Sequence, residues 1–415
     1  MRFKPAGLAA LMMTLAAALH AEGALAGDAA SPLWSIGGFG TLGAVHSSER
    51  QADFTSSIFK PTGAGYSGSW SADVDSLIGA QLTANPAPRL SAVLQVIIEQ
   101  TYDDRHRPYI EWANIAYQFT PELSIRVGRS VLPMFLFSEV RKVGYAHPWA
   151  RPPLEVYALN ALTSSDGIDA SYRMHRGELT YTVQANSGSK SIHLAGDSTA
   201  ARLGDLWGIS HTIEHGALTA HAFYQQFFGT VPTANAFFDN FRQFGSQGAV
   251  IADKYDASHK RVNSFGLGAS YDPGAWFLMT EWGRNNTRSY LGRSTAWYVS
   301  GGYQFGRFTP FVIYAQARAN NLADPGLELG SLPDPLVQPA TQLNAALNTL
   351  LSARTVQDTV SIGGRQELTR NASLKVQLDH TRLGAGSSGQ LINIQPGFGL
   401  GGQFTAISVN VDFVF

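Results

Sequence analysis

Apolar and polar residues alternate one for one in segment after segment of this chain. In the C-terminal "FTAISVNVDFVF", Ile407, Val409, Val411, Phe413 and Phe415 fall on one side, and Ala406, Ser408, Asn410 and Asp412 on the other. A period of two is that of a β-strand with one apolar and one polar face. "ASLKVQLDHT" repeats it, with Leu374, Val376 and Leu378 against Lys375, Gln377, Asp379 and Thr381. So do "ELTYTVQAN" (Leu179, Tyr181, Val183), "ELSIRVGRS" (Leu123, Ile125, Val127) and "IDASYRM" (Ile168, Ala170, Tyr172). Read this way, the mature chain holds about sixteen strands.

The connections sort themselves by length. Short ones are "NPAP" (Asn85 to Pro88), "TPE", "HRG", "EHG", "DPG", "FGR" and "TRN". Between them fall long stretches at Ser47–Gly68, Leu132–Thr163, Ser187–Ala200, Gly229–Ser258, Asn320–Ala353 and Gly386–Gly401. Antiparallel strands place alternate connections at opposite rims, so one rim carries tight turns and the other long loops. That asymmetry marks a closed transmembrane barrel, with turns in the periplasm and loops outside, and gives a soluble sandwich no reason to exist in this form. The apolar faces then meet lipid and the polar faces line a lumen. Leu374, Val376, Leu378, Val409 and Val411 are expected to face lipid, and Lys375, Gln377, Asp379, Ser408 and Asn410 the lumen, where Gln377 should tolerate arginine. The first strand, around Ser35–Val45, is expected to close against the last, around Thr405–Phe415.

The first residues read as an export signal. Arg2 and Lys4 precede an apolar run from Ala6 to Leu19, and Ala24-Leu25-Ala26 is a small-x-small cleavage site. Residues 1–26 are therefore expected to be a signal peptide and 27–415 a single barrel domain. Only 15% of residues are charged, net charge is −1 and cysteine is absent. No basic excess points to nucleic acid. Disulfides and thiolate metal sites are excluded.

Several motifs invite a chemical reading and fail it. Gly38-Phe39-Gly40-Thr41-Leu42-Gly43 matches G-x-G-x-x-G, but it runs into a polar loop where a dinucleotide site needs a helix N-terminus. It reads as strand one, its glycines leaving room for a neighbouring chain. His211 and His215 are four apart, roughly 13 Å along a strand, too far to share a metal. "QLNAALNTLL" (Leu343, Ala346, Leu347, Leu350, Leu351) and "FFDNFRQFG" (Phe237, Phe241, Phe244) have helical spacing inside long loops. No catalytic triad, carboxylate pair or cofactor site stands out on the polar faces.

"GGFGTLG" as first strand, "ELSIRVGR" leading into a long third loop, "SSDGIDASYR" after it and the terminal "ISVNVDFVF" resemble the general bacterial porins of Gram-negative outer membranes. The resemblance implies a sixteen-stranded barrel, assembly as a homotrimer, a third loop folded into the lumen, and a final aromatic, Phe415, read by the barrel-assembly machinery. The function it implies is passive diffusion of small hydrophilic solutes and ions through a water-filled channel in outer-membrane lipid, with no enzyme activity. A substrate-selective channel is the alternative, and an adhesin or hydrolase on the same barrel a second one.

The third loop, Leu132–Thr163, carries Met134, Phe135, Leu136, Phe137, Tyr145, Trp149 and Tyr157, which need burial, while Pro148, Pro152 and Pro153 stiffen it. Its charges Glu139, Arg141, Lys142, Arg151 and Glu155 are the expected constriction. Arg126, Arg173, Arg365, Lys375 and Asp379 are the expected pore wall. Opposed charges across a narrow eyelet would set a transverse field that screens solutes.

Overall fold

The computed structural model describes residues 32–195, 200–320 and 322–415. The segment expected to be a signal peptide, residues 1–26, lies outside them. Among the described residues, long antiparallel strands follow one another round a closed barrel. They are β1 (Trp34–Ser47), β2 (Leu77–Ala87), β3 (Leu90–Gln100), β4 (His106–Gln118), β5 (Leu123–Val131), β6 (Ser164–Arg176), β7 (Leu179–His193) and β8 (Ala200–His215). The second half is β9 (Leu218–Thr230), β10 (Lys260–Tyr271), β11 (Trp276–Thr287), β12 (Arg293–Tyr303), β13 (Phe308–Ala319), β14 (Gln357–Glu367), β15 (Ala372–Leu383) and β16 (Gln403–Val414). A two-residue piece, Trp70–Ser71, adds a partial rung beside β1.

Closure is made by β1, which pairs with β2 on one side and β16 on the other. The register runs from Phe39 opposite Val414 to Ser47 opposite Ala406. Beyond it, the Gly38 amide donates to the Phe415 carbonyl at 2.8 Å and the Phe415 amide to the Gly38 carbonyl at 3.0 Å. The glycines that mimic a nucleotide fingerprint belong to this seam. A Cβ on Gly38 would lie 2.2 Å from the Phe415 ring, and one on Gly40 2.5 Å from the Phe413 ring. Two aromatic rings thus fold over bare backbone where first and last strands meet.

Burial follows the period-two reading. On β15, Val376 is 47% exposed while Lys375 between the strands' inner faces is fully buried. Leu374 and Leu378 point outward with Val376, and Gln377 and Asp379 inward with Lys375. On β16, Ser408 and Asn410 are buried inward, and Val409 and Val411 lie on the outer face. His211 also points outward, its ring 2.6 Å from the Tyr181 hydroxyl on β7.

The polar-lumen expectation needs one correction. The inner face of β11–β13 is largely apolar, with Phe277, Met279, Ala296, Tyr298, Phe311, Ile313 and Ala315 buried there. The reason is the third loop, which occupies the lumen and packs Leu132, Met134, Phe135, Phe137, Trp149 and Val156 into the same cluster.

Among the described residues, helices occur only in connections. The third loop contains α1 (Leu154–Tyr157); the loop between β9 and β10 contains α2 (Pro232–Arg242) and α3 (Gly245–Tyr255); the loop between β13 and β14 contains α4 (Asp334–Ser352). The last three share a small core of Phe238, Phe241, Ile251, Tyr255, Leu347 and Leu351 on the long-loop rim. Arg242 ties this cap together through Asp239, Asp253 and Asp256. Burial raises the Asp256 carboxyl's pKa, but hydrogen bonds from Lys260 and Arg242 outweigh it and hold the group below the usual carboxylate range.

Two outcomes test this architecture. Val376→Arg should cost roughly 2–4 kcal/mol of barrel stability if it lies near mid-bilayer, whereas Gln184→Arg, half-buried on the inner face of β7, should be tolerated. Urea midpoints of the refolded proteins report both, and equal midpoints would refute the face assignment. Deleting Val409–Phe415 strips the closing strand of its last rungs and leaves unpaired backbone in lipid. No heat-modifiable folded band should then be recovered on electrophoresis.

Candidate functional site

The third loop leaves the top of β5 at Leu132, whose amide donates to the Thr163 carbonyl at 3.1 Å, and returns into β6. Between these points it crosses the lumen to the β9–β13 wall and then runs along β14–β16 and β1. Apolar contacts fix its first part. Phe135 packs edge-on to Phe223 of β9 at 5.1 Å between ring centroids. Trp149 packs edge-on to Tyr298 of β12 at 5.7 Å and donates its indole N–H to Ser300 Oγ at 2.8 Å.

Buried polar groups fix the rest. Arg151 is the hub. Its Nε donates to Asp75 Oδ1 at 2.8 Å, its Nη1 to Asp379 Oδ2 of β15 at 3.1 Å, and its Nη2 to Asp75 Oδ2 and Ser408 Oγ. Its guanidinium also lies 5.1 Å from the centre of the Phe54 ring in the first loop. Asn410 donates to Asp75 and to the Ala150 carbonyl. Lys375 donates to the carbonyls of Gly144 at 2.6 Å and Trp149 at 2.8 Å, and pairs with Asp412 at 2.9 Å. Gly144 must be glycine here, since a Cβ would lie 2.1 Å from Asp412 Oδ1. Arg365 of β14 donates to the carbonyls of Tyr145 and His147 and pairs with Glu367. The Tyr145 hydroxyl donates to the Arg370 carbonyl, in the short turn after β14. The loop therefore reaches from the long-loop rim to the short-turn rim.

The remaining expected residues also have partners. Glu155 accepts from Gln357 Nε2 at 2.7 Å and from the Thr359 hydroxyl. Arg141 donates to the carbonyls of Asn160 and Tyr157, both at 2.9 Å. Lys142 pairs with Glu99 of β3 and donates to the Tyr109 hydroxyl; Lys60 of the first loop approaches the same carboxylate at 3.7 Å. Glu139 is half-buried. Arg126 pairs with Asp169 at 2.8 Å, and Arg173 with Glu214 at 3.9 Å.

Of the expected loop charges, Lys142 and Arg151 thus meet wall carboxylates, while Arg141 bonds within the loop and Arg126 and Arg173 pair within the wall. Arg151 and Asp379 touch directly, where the spacing of charges along the sequence had suggested opposed charges across a gap. The expected tolerance of Gln377 to arginine is also overturned. Gln377 Oε1 accepts from the Ala150 amide at 2.9 Å and its Nε2 donates to Asp379 at 2.7 Å, so the position is occupied by the loop.

Three acids central to this arrangement were not singled out from the sequence. Asp75 sits in the first loop, outside any periodic pattern. Asp412 was visible only as one of several polar positions on the last strand. Glu281 accepts from the Leu136 amide at 2.7 Å, the Tyr157 hydroxyl at 2.7 Å and the Tyr298 hydroxyl at 2.9 Å. Its strand alternates apolar residues on both faces, so period two gives no contrast there.

No family model matches the sequence, and no curated protein matches it. Solved structures do. An anion-selective porin from Comamonas acidovorans is similar at a TM-score of 0.53 and 12% identity, over 92% of this chain and 99% of that one. The outer-membrane channel DcaP of Acinetobacter baumannii is similar at 0.52 and 10%, over 94% and 100%. OmpF of Salmonella typhi, in complex with daunomycin, is similar at 0.50 and 14%, over 92% and 97%. The fold is that of the outer-membrane porins. At these identities the likeness is one of porin architecture, and the side-chain contacts above belong to this chain.

Removing Arg151 tests the latch. Arg151→Met leaves Asp75 and Asp379 buried without their cation, which should cost about 3–5 kcal/mol. The triple variant Arg151→Met, Asp75→Asn, Asp379→Asn should recover most of that loss, read as the urea midpoint of unfolding. Equal stability of parent and single variant would show that the pair does not hold the loop.

Proposed function

We propose that the protein is an outer-membrane channel for passive diffusion of small hydrophilic solutes and ions, with a bore set by the third loop. The observation that carries this reading is the pairing of an apolar outer wall with a lumen in which a covalently tethered loop is bolted to the wall by buried ion pairs. A loop held at Asp75, Asp379, Lys375, Glu281 and Glu99 is a fixed constriction. The proposed constriction residues are Glu139, Arg141, Lys142, Arg151 and Glu155, against a wall that includes Arg126, Arg173, Arg365, Lys375 and Asp379. Export through a cleaved signal peptide, assembly as a homotrimer, insertion aided by machinery that reads Phe415, and the lack of enzyme activity belong to the same proposal.

A second reading, a substrate-selective channel, is favoured by one feature. Charges from three sources, Lys60, Glu99 and Lys142, converge with the Tyr109 hydroxyl on one side of the lumen. Such a cluster places both signs of charge within the lumen wall.

Single-channel recording in a planar bilayer separates the two. A passive pore gives current that rises in proportion to salt, whereas a selective one saturates with its solute. Shortening Val140–Pro152 should raise conductance several-fold and enlarge the solute size limit. Unchanged conductance in that variant would show that the loop is not the constriction, and no conductance from the folded parent would refute the channel reading.

A further inference from the structure

We infer that the open part of the lumen, against β5–β8, carries a binding row for neutral polyhydroxylated solutes, the class of sugars and sugar alcohols. The third loop leaves this wall uncovered. On β14–β16 it buries Arg365, Lys375, Gln377, Ser408 and Asn410 almost completely. On β5–β8 the inner-face residues Ser124, Ser171, Thr180, Thr182, Gln184 and Thr212 are only half-buried. The alternate positions Val127, Tyr172 and Ile209 are exposed on the outer face.

These groups belong to continuous cross-strand rows. Ser124, Ser171, Gln184 and Ser210 stand opposite one another on four consecutive strands. At the usual strand spacing that row is roughly 14 Å long. Nearer the short turns, Arg173, Thr182 and Thr212 form the next row. Nearer the loops stand Asp169, Asn186 and Gly208, with Gln225 of β9 beyond them. The Gln225 amide lies across Gly208, where a Cβ would be 2.2 Å from Gln225 Oε1. Asn186 donates to that oxygen at 3.4 Å. Gln225 is 2% exposed, and its Nε2 has no hydrogen-bond partner among the described residues.

The chemistry of the rows is that of a hydroxylated solute. Serine and threonine hydroxyls and side-chain amides each donate and accept, as do the hydroxyls of a sugar. Exchanging water for such a solute keeps every group hydrogen-bonded, with a modest net gain per contact, so the solute can bind and still leave. A solute hydroxyl set against the Gln225 amide supplies the partner that this buried N–H otherwise lacks. Ions find less to bind. Arg126 is paired with Asp169 at 2.8 Å and Arg173 with Glu214 at 3.9 Å, so the charges bordering the rows come in opposite-signed pairs.

This binding row rests on the channel reading, and the test separates their failures. Current through the purified protein is recorded in potassium chloride while maltose is added. The titration is repeated with a polyethylene glycol dimethyl ether of equal hydrodynamic radius, which accepts hydrogen bonds but donates none. Maltose should reduce the current along a saturating curve, reaching half-reduction at a concentration at least about tenfold below the ether. Ser124→Ala/Ser171→Ala/Gln184→Leu should lose the saturation, with potassium chloride current still present as the sign of insertion. Ser124→Thr/Ser171→Thr/Gln184→Asn keeps the hydroxyls and the amide and should retain most of it. Equal maltose responses in the parent and the Ser124→Ala/Ser171→Ala/Gln184→Leu variant would overturn the inference, as would an ether as effective as maltose. Glucuronate acting at about a tenfold lower concentration than maltose would overturn it too and identify an anion site instead. A parent that conducts potassium chloride yet ignores maltose overturns this inference alone, whereas a folded parent without current overturns the channel reading as well.

Discussion

Everything in this molecule depends on the seam between the first strand and the last. A sheet surrounded by lipid cannot leave a row of amides and carbonyls unpaired, so Trp34–Ser47 must find Gln403–Val414 in one register. The seam is made with small residues on one side and rings on the other. Phe413 and Phe415 lie over Gly40 and Gly38, covering backbone that has no side chain of its own. Residues nearly four hundred apart in sequence are thereby joined, and the circumference of the lumen is set before any loop is placed.

The third loop solves the complementary problem of filling that circumference. Its aromatic and aliphatic side chains, buried against β9–β13, each contribute about 1.5–3 kcal/mol as an upper estimate. The ion pairs at Arg151 and Lys375 are fully desolvated, and pairs of that kind return little net stability once charges have been taken out of water. Apolar burial is therefore what holds the loop inside, and the ion pairs decide where along the wall it rests. A mismatch in register would leave Asp75 and Asp379 buried without a cation. The same division appears in the cap over the long-loop rim, where an apolar helix core is positioned by the Arg242 carboxylate cluster.

Outward-facing arginines are paired as well, Arg318 with Asp358 and Arg129 with Asp166. Inside the barrel every expected loop arginine is satisfied by a carboxylate or a backbone carbonyl. Arginines with internal partners fix the position of the loop.

The amino-acid sequence by itself determined the strands, their inward and outward faces, the alternation of turns and loops, closure of first on last, and the inward course of the third loop. These follow from short-range patterns: a period of two, turn residues, and a loop too apolar for water. Helical spacing likewise marked the helices Pro232–Arg242 and Asp334–Ser352. Only the tertiary structure decided which charges meet. Arg151 joins partners 76, 228 and 257 residues away, a choice that depends on the angle at which the loop crosses a curved wall. It also decided that the inner face of β11–β13 is apolar and that Gln377 serves the loop. A strand's periodicity records that its two faces differ, or that they do not. What each face touches is fixed by chain returning from far away, and a local pattern carries no record of that.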